Sequence, residues 1–118
     1  MDHGHGILVV EDEALIGFDL ADLLADAGYT VCGPFAKVCD AMEAVRVSPI
    51  ALAILDVHLG EGETSGSIAE ALSRDGTPFM FVSGYSEAGS EVLRQFPDAR
   101  RVSKPWDPDE LLALVAQY

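Results

Sequence analysis

The sequence predicts an α/β domain in which a doubly wound parallel sheet carries helices on both faces. Two observations predict it. Short apolar runs and stretches of helical periodicity alternate five times along the chain, and this alternation leads to a parallel sheet through right-handed crossovers. The runs are also apolar at successive positions, which is typical of strands buried on both faces. With 118 residues, 49% hydrophobic and 23% charged, the chain has the length and balance of one folded domain.

Local signals place the elements. A first helical face is formed by Ile16, Leu20 and Leu24, and Gly28 ends that helix. Asp107 is a suitable N-cap for a last helix that begins at Pro108. The predicted strands cover residues 7–10, 29–35, 52–55, 79–82 and 100–102. The predicted helices cover residues 13–27, 37–47, 68–74, 87–96 and 108–118. We expect residues 1–6 to be a flexible N-terminus and residues 7–118 to form the single domain.

Charge and composition exclude several classes of function. Twenty acidic and seven basic residues give a net charge of −13, which argues against binding to nucleic acid or to an anionic membrane surface. The longest apolar runs are far too short to span a bilayer, and the first residues do not form a secretory signal. Cys32 and Cys39 are too few for a disulfide framework, and we expect both to pack as small apolar residues. The sequence therefore predicts a soluble cytoplasmic domain.

Chemically active side chains follow the predicted strands at one edge of the sheet. They are Glu11, Asp12, Asp56, Ser83 and Lys104. Three converging carboxylates repel one another unless a cation or a proton intervenes, and oxygen ligands of this kind suit Mg²⁺. A lysine and a hydroxyl nearby provide charge neutralisation and a hydrogen bond for a phosphoryl group. Since a carboxylate can act as the nucleophile, the set is suited to forming an aspartyl-phosphate.

This order of an acidic pair, an aspartate, a hydroxyl residue and Lys-Pro resembles the receiver domain of two-component response regulators over the whole chain. The resemblance implies a flavodoxin-like (βα)₅ fold with strand order 2-1-3-4-5. It implies that Asp56 is the phosphoacceptor, that Ser83 hydrogen-bonds the phosphoryl group and that Lys104 pairs with it. The implied Mg²⁺ ligands are Asp12 and Asp56 directly, Glu11 through water and His58 through its backbone carbonyl. The Lys104–Pro105 bond is implied to be cis.

Three departures from the usual receiver pattern concern the loop after Asp56, the switch position and the end of strand four. The loop at 59–66 lacks a proline and is longer than usual, and Arg101 stands where an aromatic switch residue is normal. The end of strand four resembles the stand-alone FATGUY subgroup in part. We therefore expect switching to run through Ser83, Gly84 and Tyr85.

The function implied is that of a phosphorylatable receiver fed by a histidine kinase or a histidine phosphotransfer protein. Because no residues follow Tyr118, we expect no output domain, and an output either by protein binding or by acting as a phosphate sink. A first-helix face of Ala14, Gly17, Phe18 and Ala21 is the predicted docking surface.

Apart from its own phosphorylation and slow dephosphorylation, no catalysis is expected. The resemblance implies that His58 and Tyr85 line the approach of the hydrolytic water, and neither side chain is suited to orienting it. The alternative to the phosphorylatable receiver is an interaction module on the same fold that works without phosphorylation.

Overall fold

The five strands of the computed structural model, which describes residues 5–84 and 90–118, form one parallel sheet. The strands are β1 Gly6–Val10, β2 Val31–Phe35, β3 Ile50–Asp56, β4 Phe79–Ser83 and β5 Arg100–Ser103. Their order in the sheet is β2-β1-β3-β4-β5, so the expected doubly wound topology is confirmed. The order reverses beside β1, and in such sheets binding sites lie at that point, beyond the carboxyl ends of the strands.

In the described part of the chain, five helices alternate with the strands. They are α1 Ala14–Asp26, α2 Val38–Val47, α3 Gly66–Arg74, α4 Glu91–Gln95 and α5 Pro108–Val115. The predicted cap of α5 is present, since the Asp107 carboxylate accepts a hydrogen bond of 3.0 Å from the backbone N–H of Asp109. Among the residues that the structure describes, no helix combines the length and the apolar character that crossing a bilayer requires.

Alternate residues of the central strands belong to two separate hydrophobic cores, one on each face of the sheet. In β1, Leu8 and Val10 join a core with α2, α3 and α4, whereas Ile7 and Val9 join a core with α1 and α5. Successive side chains of a strand point to opposite faces of the sheet, so a strand covered on both sides must be apolar at every position. This explains the continuous apolar runs of the sequence.

Strand β2 differs from its prediction. It begins at Val31 instead of residue 29, and Tyr29 packs against the α1–α5 core from outside the strand. The Gly33–Pro34 peptide bond is cis, and a Cβ at Gly33 would lie only 2.7 Å from the Val9 carbonyl oxygen. The pairing of β1 with β2 shifts register at this place. Periodicity carries no signal for such a local irregularity.

Helix α4 is shorter than predicted. The sequence places its start at Glu87, but residues 85–89 lie outside the described part of the chain. Ser90 has an extended backbone, and its hydroxyl accepts a hydrogen bond of 3.2 Å from the Val92 N–H, so Ser90 caps a helix that begins at Glu91.

The prediction that Cys39 packs as a small apolar residue is wrong, because this side chain is exposed on α2.

Candidate functional site

Strand register brings the acidic residues together. Val10 pairs with Leu55, so the residues that follow β1 lie beside Asp56 at the end of β3. Oxygen atoms of Glu11, Asp12 and Asp56 all lie within 4.8 Å of one another. Glu11 and Asp56 are each only 4% exposed, whereas Asp12 is exposed. We call these three residues the acidic cluster.

Lys104 enters the acidic cluster from the end of β5. Its Nζ donates hydrogen bonds to Asp56 Oδ2 at 3.0 Å and to Glu11 Oε1 at 3.1 Å. Its backbone N–H donates to the Ser83 carbonyl at 2.9 Å, an extension of the pairing between β4 and β5. Glu11 also accepts a hydrogen bond of 3.2 Å from the Glu13 backbone N–H. One ammonium thus faces two buried carboxylates.

Charge is unbalanced around Asp56. Burial raises the pKa of this carboxyl to about 8, with the charge of Glu11 adding to the rise and Lys104 opposing it. Burial alone would lower the pKa of Lys104, but its hydrogen bonds to Glu11 and Asp56 outweigh that effect and raise it. The lysine therefore stays charged, while Asp56 retains a tendency to hold a proton.

The acidic cluster fits a hard divalent cation. Asp56 Oδ1 is buried and has no hydrogen-bond partner among the described residues, although Oδ2 is bound by Lys104. An unpartnered buried carboxylate oxygen is costly, and a cation relieves it. All three donors are carboxylate oxygens, the ligand type of Mg²⁺ and Ca²⁺. These residues could therefore hold a metal ion.

The other predicted site residues lie at the same edge of the sheet. Ser83 ends β4 and is half-buried, and Gly84 follows it. His58 lies two residues beyond Asp56, with an exposed side chain, and it forms a β-bridge with Thr64. The Lys104–Pro105 peptide bond is cis, the isomer that the resemblance implies. The predicted switch residue Tyr85 lies outside the described residues.

Arg101 points to helix α4. Its guanidinium donates a hydrogen bond of 3.4 Å to the Leu93 carbonyl, and most of the residue is exposed. The position that the sequence singles out as a switch residue is thus a polar link between β5 and α4.

The predicted docking face of α1 is wrong at one of its four residues. Gly17 is buried, and a Cβ there would lie 3.0 Å from the Pro34 Cβ of β2, so this glycine lets α1 approach the sheet. Ala14 is exposed and Ala21 is half-buried. Phe18 is 57% exposed, and Leu15, which the predicted face does not include, is 81% exposed. The exposed apolar part of α1 is therefore centred on Leu15 and Phe18.

A hairpin between β3 and α3 was not predicted. Residues 57–65 fold back on themselves, with hydrogen bonds from the Leu59 N–H to the Glu63 carbonyl at 3.0 Å and from the Glu63 N–H to the Gly60 carbonyl at 2.9 Å. The Ser65 N–H closes the hairpin on the Val57 carbonyl at 3.0 Å. The glycines at 60 and 62 were the available signal, since glycines in a short polar loop indicate a tight turn.

Comparisons with known proteins agree with this geometry. A family model described as the response regulator receiver domain matches residues 7–116. The transcriptional regulatory protein PdtaR of Mycobacterium tuberculosis is 26% identical over 112 residues, which cover 92% of this chain and 54% of that protein. The transcriptional regulatory protein DltR of Streptococcus agalactiae is 32% identical over 112 residues, which cover 92% and 49%. The chain thus spans about half the length of the curated relatives it matches.

Two solution structures are also similar. SdrG from Sphingomonas melonis Fr1 has 36% identity and a TM-score of 0.84, with 98% of this chain and 97% of that chain covered. The receiver domain of the PhyR response regulator from Erythrobacter litoralis has 25% identity and a TM-score of 0.79, with 97% and 88% covered.

Proposed function

The chain belongs to the response regulator receiver domain family, and from this premise we propose that it accepts a phosphoryl group on Asp56 in a Mg²⁺-dependent reaction. The donor is a histidine kinase or a histidine phosphotransfer protein of the cytoplasm. The output is a change in protein–protein interaction. The observation that carries this proposal is the Asp56 carboxylate, buried between Glu11 and Lys104 with one oxygen unpartnered.

The two oxygens of Asp56 have different roles in the transfer. One carboxylate oxygen attacks the phosphorus of a phosphohistidine and the other remains for the cation, while Lys104 Nζ, 3.0 Å from Oδ2, neutralises the carboxylate. The new P–O bond forms as the P–N bond breaks, and the electron pair of that bond returns to the imidazole of the donor. The carboxylate becomes a mixed anhydride, and its negative charge passes to the phosphoryl oxygens.

Lys104 and Ser83 receive that charge. The Lys104 ammonium can move from the carboxylates to a phosphoryl oxygen without leaving the site, because it already bridges Glu11 and Asp56. The hydroxyl of Ser83, at the end of the neighbouring strand β4, donates a hydrogen bond to another oxygen. Asp12 and Asp56 would hold a Mg²⁺ ion, with Glu11 beside it, and the ion would supply further charge neutralisation.

The raised pKa of Asp56 disfavours its nucleophilic form. A carboxyl with a pKa of about 8 is largely protonated at neutral pH, and a protonated carboxyl is a poor nucleophile. A divalent cation held by the acidic cluster would favour the ionised form. We therefore expect labelling of Asp56 to be stronger with the cation than without it.

The test is intact-mass analysis after incubation with a small phosphodonor, with Mg²⁺ and with a chelator. We expect a phosphoryl adduct with Mg²⁺, a much smaller amount in the chelator, and none in Asp56→Asn. Asp98→Asn, a change on the loop before β5 and remote from the acidic cluster, is the matched control and should be labelled like the wild type. A chain that forms no adduct with any phosphodonor would instead be a phosphorylation-independent interaction module.

A further inference from the structure

Helices α1 and α5, which cover the same face of the sheet, carry no basic residue. Their exposed acidic side chains are Asp19, Asp22, Asp26, Asp109 and Glu110. The three helices of the other face each contain an arginine, and in α2 and α4 that arginine pairs with a glutamate of its own helix. Negative charge is thus unbalanced on the helices of one face, which we call the α1–α5 face.

An apolar patch lies among these acids. The exposed Leu15 and Phe18 each precede an aspartate by four residues, so apolar and acidic side chains share one stripe of α1. A cavity of about 430 Å³ opens between α1 and the segment before α5. Its lining residues are Ile16, Asp19, Lys104, Pro105 and Trp106. The α1–α5 face therefore combines an apolar patch and a cavity with unbalanced negative charge.

The cavity shares a residue with the phosphoacceptor site. Lys104, which lines the cavity, holds Asp56 Oδ2 at 3.0 Å with its Nζ. A protein seated on the cavity thus lies against the segment that reaches Asp56, and phosphotransfer requires a donor in that position. A second copy of this chain does not suit the face, because it would bring two negative surfaces together. Position and charge therefore favour a phosphodonor protein as the occupant.

We propose that the α1–α5 face selects the phosphodonor by charge and that Asp19 and Asp22 are the specificity-determining residues. This inference rests on the proposed function. The donor that fits presents an apolar side chain to the cavity and lysine or arginine side chains to the two aspartates. No basic side chain among the described residues pairs with Asp19 or Asp22, so both carboxylates are available to a partner. A donor with acidic residues at these places is repelled.

Selection by charge has a signature that an apolar contact lacks. Opposite charges at the edge of an interface act mainly on the rate of association, and salt screens them. Removal of two such carboxylates therefore slows association at low salt and reduces its dependence on salt. Loss of the apolar contact at Phe18 would slow transfer at every salt concentration.

The double variant Asp19→Asn/Asp22→Asn tests the proposal, and Glu70→Gln/Asp75→Asn is its matched control. The control removes the same charge from exposed positions on α3 and at its end, on the other face of the sheet. Purified histidine kinases and histidine phosphotransfer proteins of the source organism are assayed singly, and the fastest donor to the wild type is kept. Labelling by acetyl phosphate, which needs no docking surface, gives the reference rate for each variant.

We expect kcat/KM for transfer from that donor, relative to the acetyl phosphate rate, to fall about tenfold in the Asp19→Asn/Asp22→Asn variant. In the control the fall should be less than about twofold, because its charges lie away from the donor. Raising the salt concentration from about 0.05 M to about 0.5 M should remove most of the difference between the wild type and the first variant.

Equal falls in the two double variants, or a difference that salt leaves unchanged, would overturn selection by charge and leave the proposed function intact. A chain that acetyl phosphate labels but no donor labels has no docking surface for a donor, and the inference falls while Asp56 remains the phosphoacceptor. A chain that neither acetyl phosphate nor any donor labels would overturn both.

Discussion

The buried Asp56 carboxyl makes the stability of the metal-free chain depend on pH. Its pKa in the folded chain is about 8, against an ordinary value of about 3.9 in an unfolded chain. Between these two values the folded state holds a proton that the unfolded state has released. For this group, the free energy of unfolding is therefore largest below the unfolded pKa and falls as the pH rises through the range up to the folded pKa.

The size of the effect follows from proton linkage. One proton that differs fully between the folded and unfolded states changes the free energy of unfolding by about 1.4 kcal/mol per pH unit. Between pH 5 and pH 7 the upper limit is thus about 2.7 kcal/mol. Because Glu11 and Lys104 share this site, part of the proton uptake is distributed over neighbours, and we expect a loss of about 1–2 kcal/mol.

Urea unfolding at pH 5, 6 and 7 in the presence of a chelator measures this slope. Asp56→Asn keeps the size of the side chain and removes its ionisation, so its stability relative to the wild type should increase over this range. Saturating Mg²⁺ should reduce the slope of the wild type, since the cation favours the ionised form. A stability difference between wild type and Asp56→Asn that stays constant from pH 5 to pH 7 would refute the reasoning.

Three further predictions follow from the same geometry. At a pH above the Asp56 pKa of about 8, Asp12→Asn should raise the melting temperature of the metal-free chain, because it removes one of three mutually repelling carboxylates. It should also weaken Mg²⁺ binding in calorimetry, and a lower melting temperature with unchanged affinity would contradict the metal site. Lys104→Met should lower the free energy of unfolding at pH 8 by about 3 kcal/mol, because Glu11 and Asp56 then lie buried without the lysine ammonium. Urea unfolding measures this loss. A loss below about 0.5 kcal/mol would show that these ion pairs are not what compensates the carboxylates. Phe18→Ala should slow phosphotransfer from the cognate kinase but not labelling by a small phosphodonor, and equal losses in both assays would indicate misfolding.

Much of the fold and of the acidic cluster could be predicted because both depend on regular geometry. Parallel strands end at one edge of a sheet, so residues that follow β1, β3 and β5 meet there even though Glu11 and Lys104 are far apart in sequence. The apolar runs likewise reflect burial on both faces, which leaves a continuous pattern. These are consequences of periodicity, and periodicity is visible in a sequence.

The errors concern features that depend on particular tertiary contacts. Gly17 was assigned to a docking surface because a small residue on a helix has the same pattern whether it faces solvent or Pro34. The hairpin after β3 depends on left-handed residues and on backbone hydrogen bonds, neither of which periodicity reports. The start of α4 was misplaced because the extended backbone of Ser90, which caps the helix, leaves no signal in the apolar periodicity.

The length of helix α4 affects the free energy that is needed to remodel one side of the domain. A helix of five residues is below the length at which a helix persists alone, so its order depends on contacts at its ends and flank. These are the Ser90 cap, the ion pair between Glu91 and Arg94 at 2.8 Å, and the bond from Arg101 to the Leu93 carbonyl. Each is partly exposed and contributes little, so α4 is held mainly by Val92 and Leu93, which are buried in the core with α2 and α3. Remodelling of this side of the domain would therefore require the replacement of two buried apolar contacts, while the sheet that holds Asp56 stays intact.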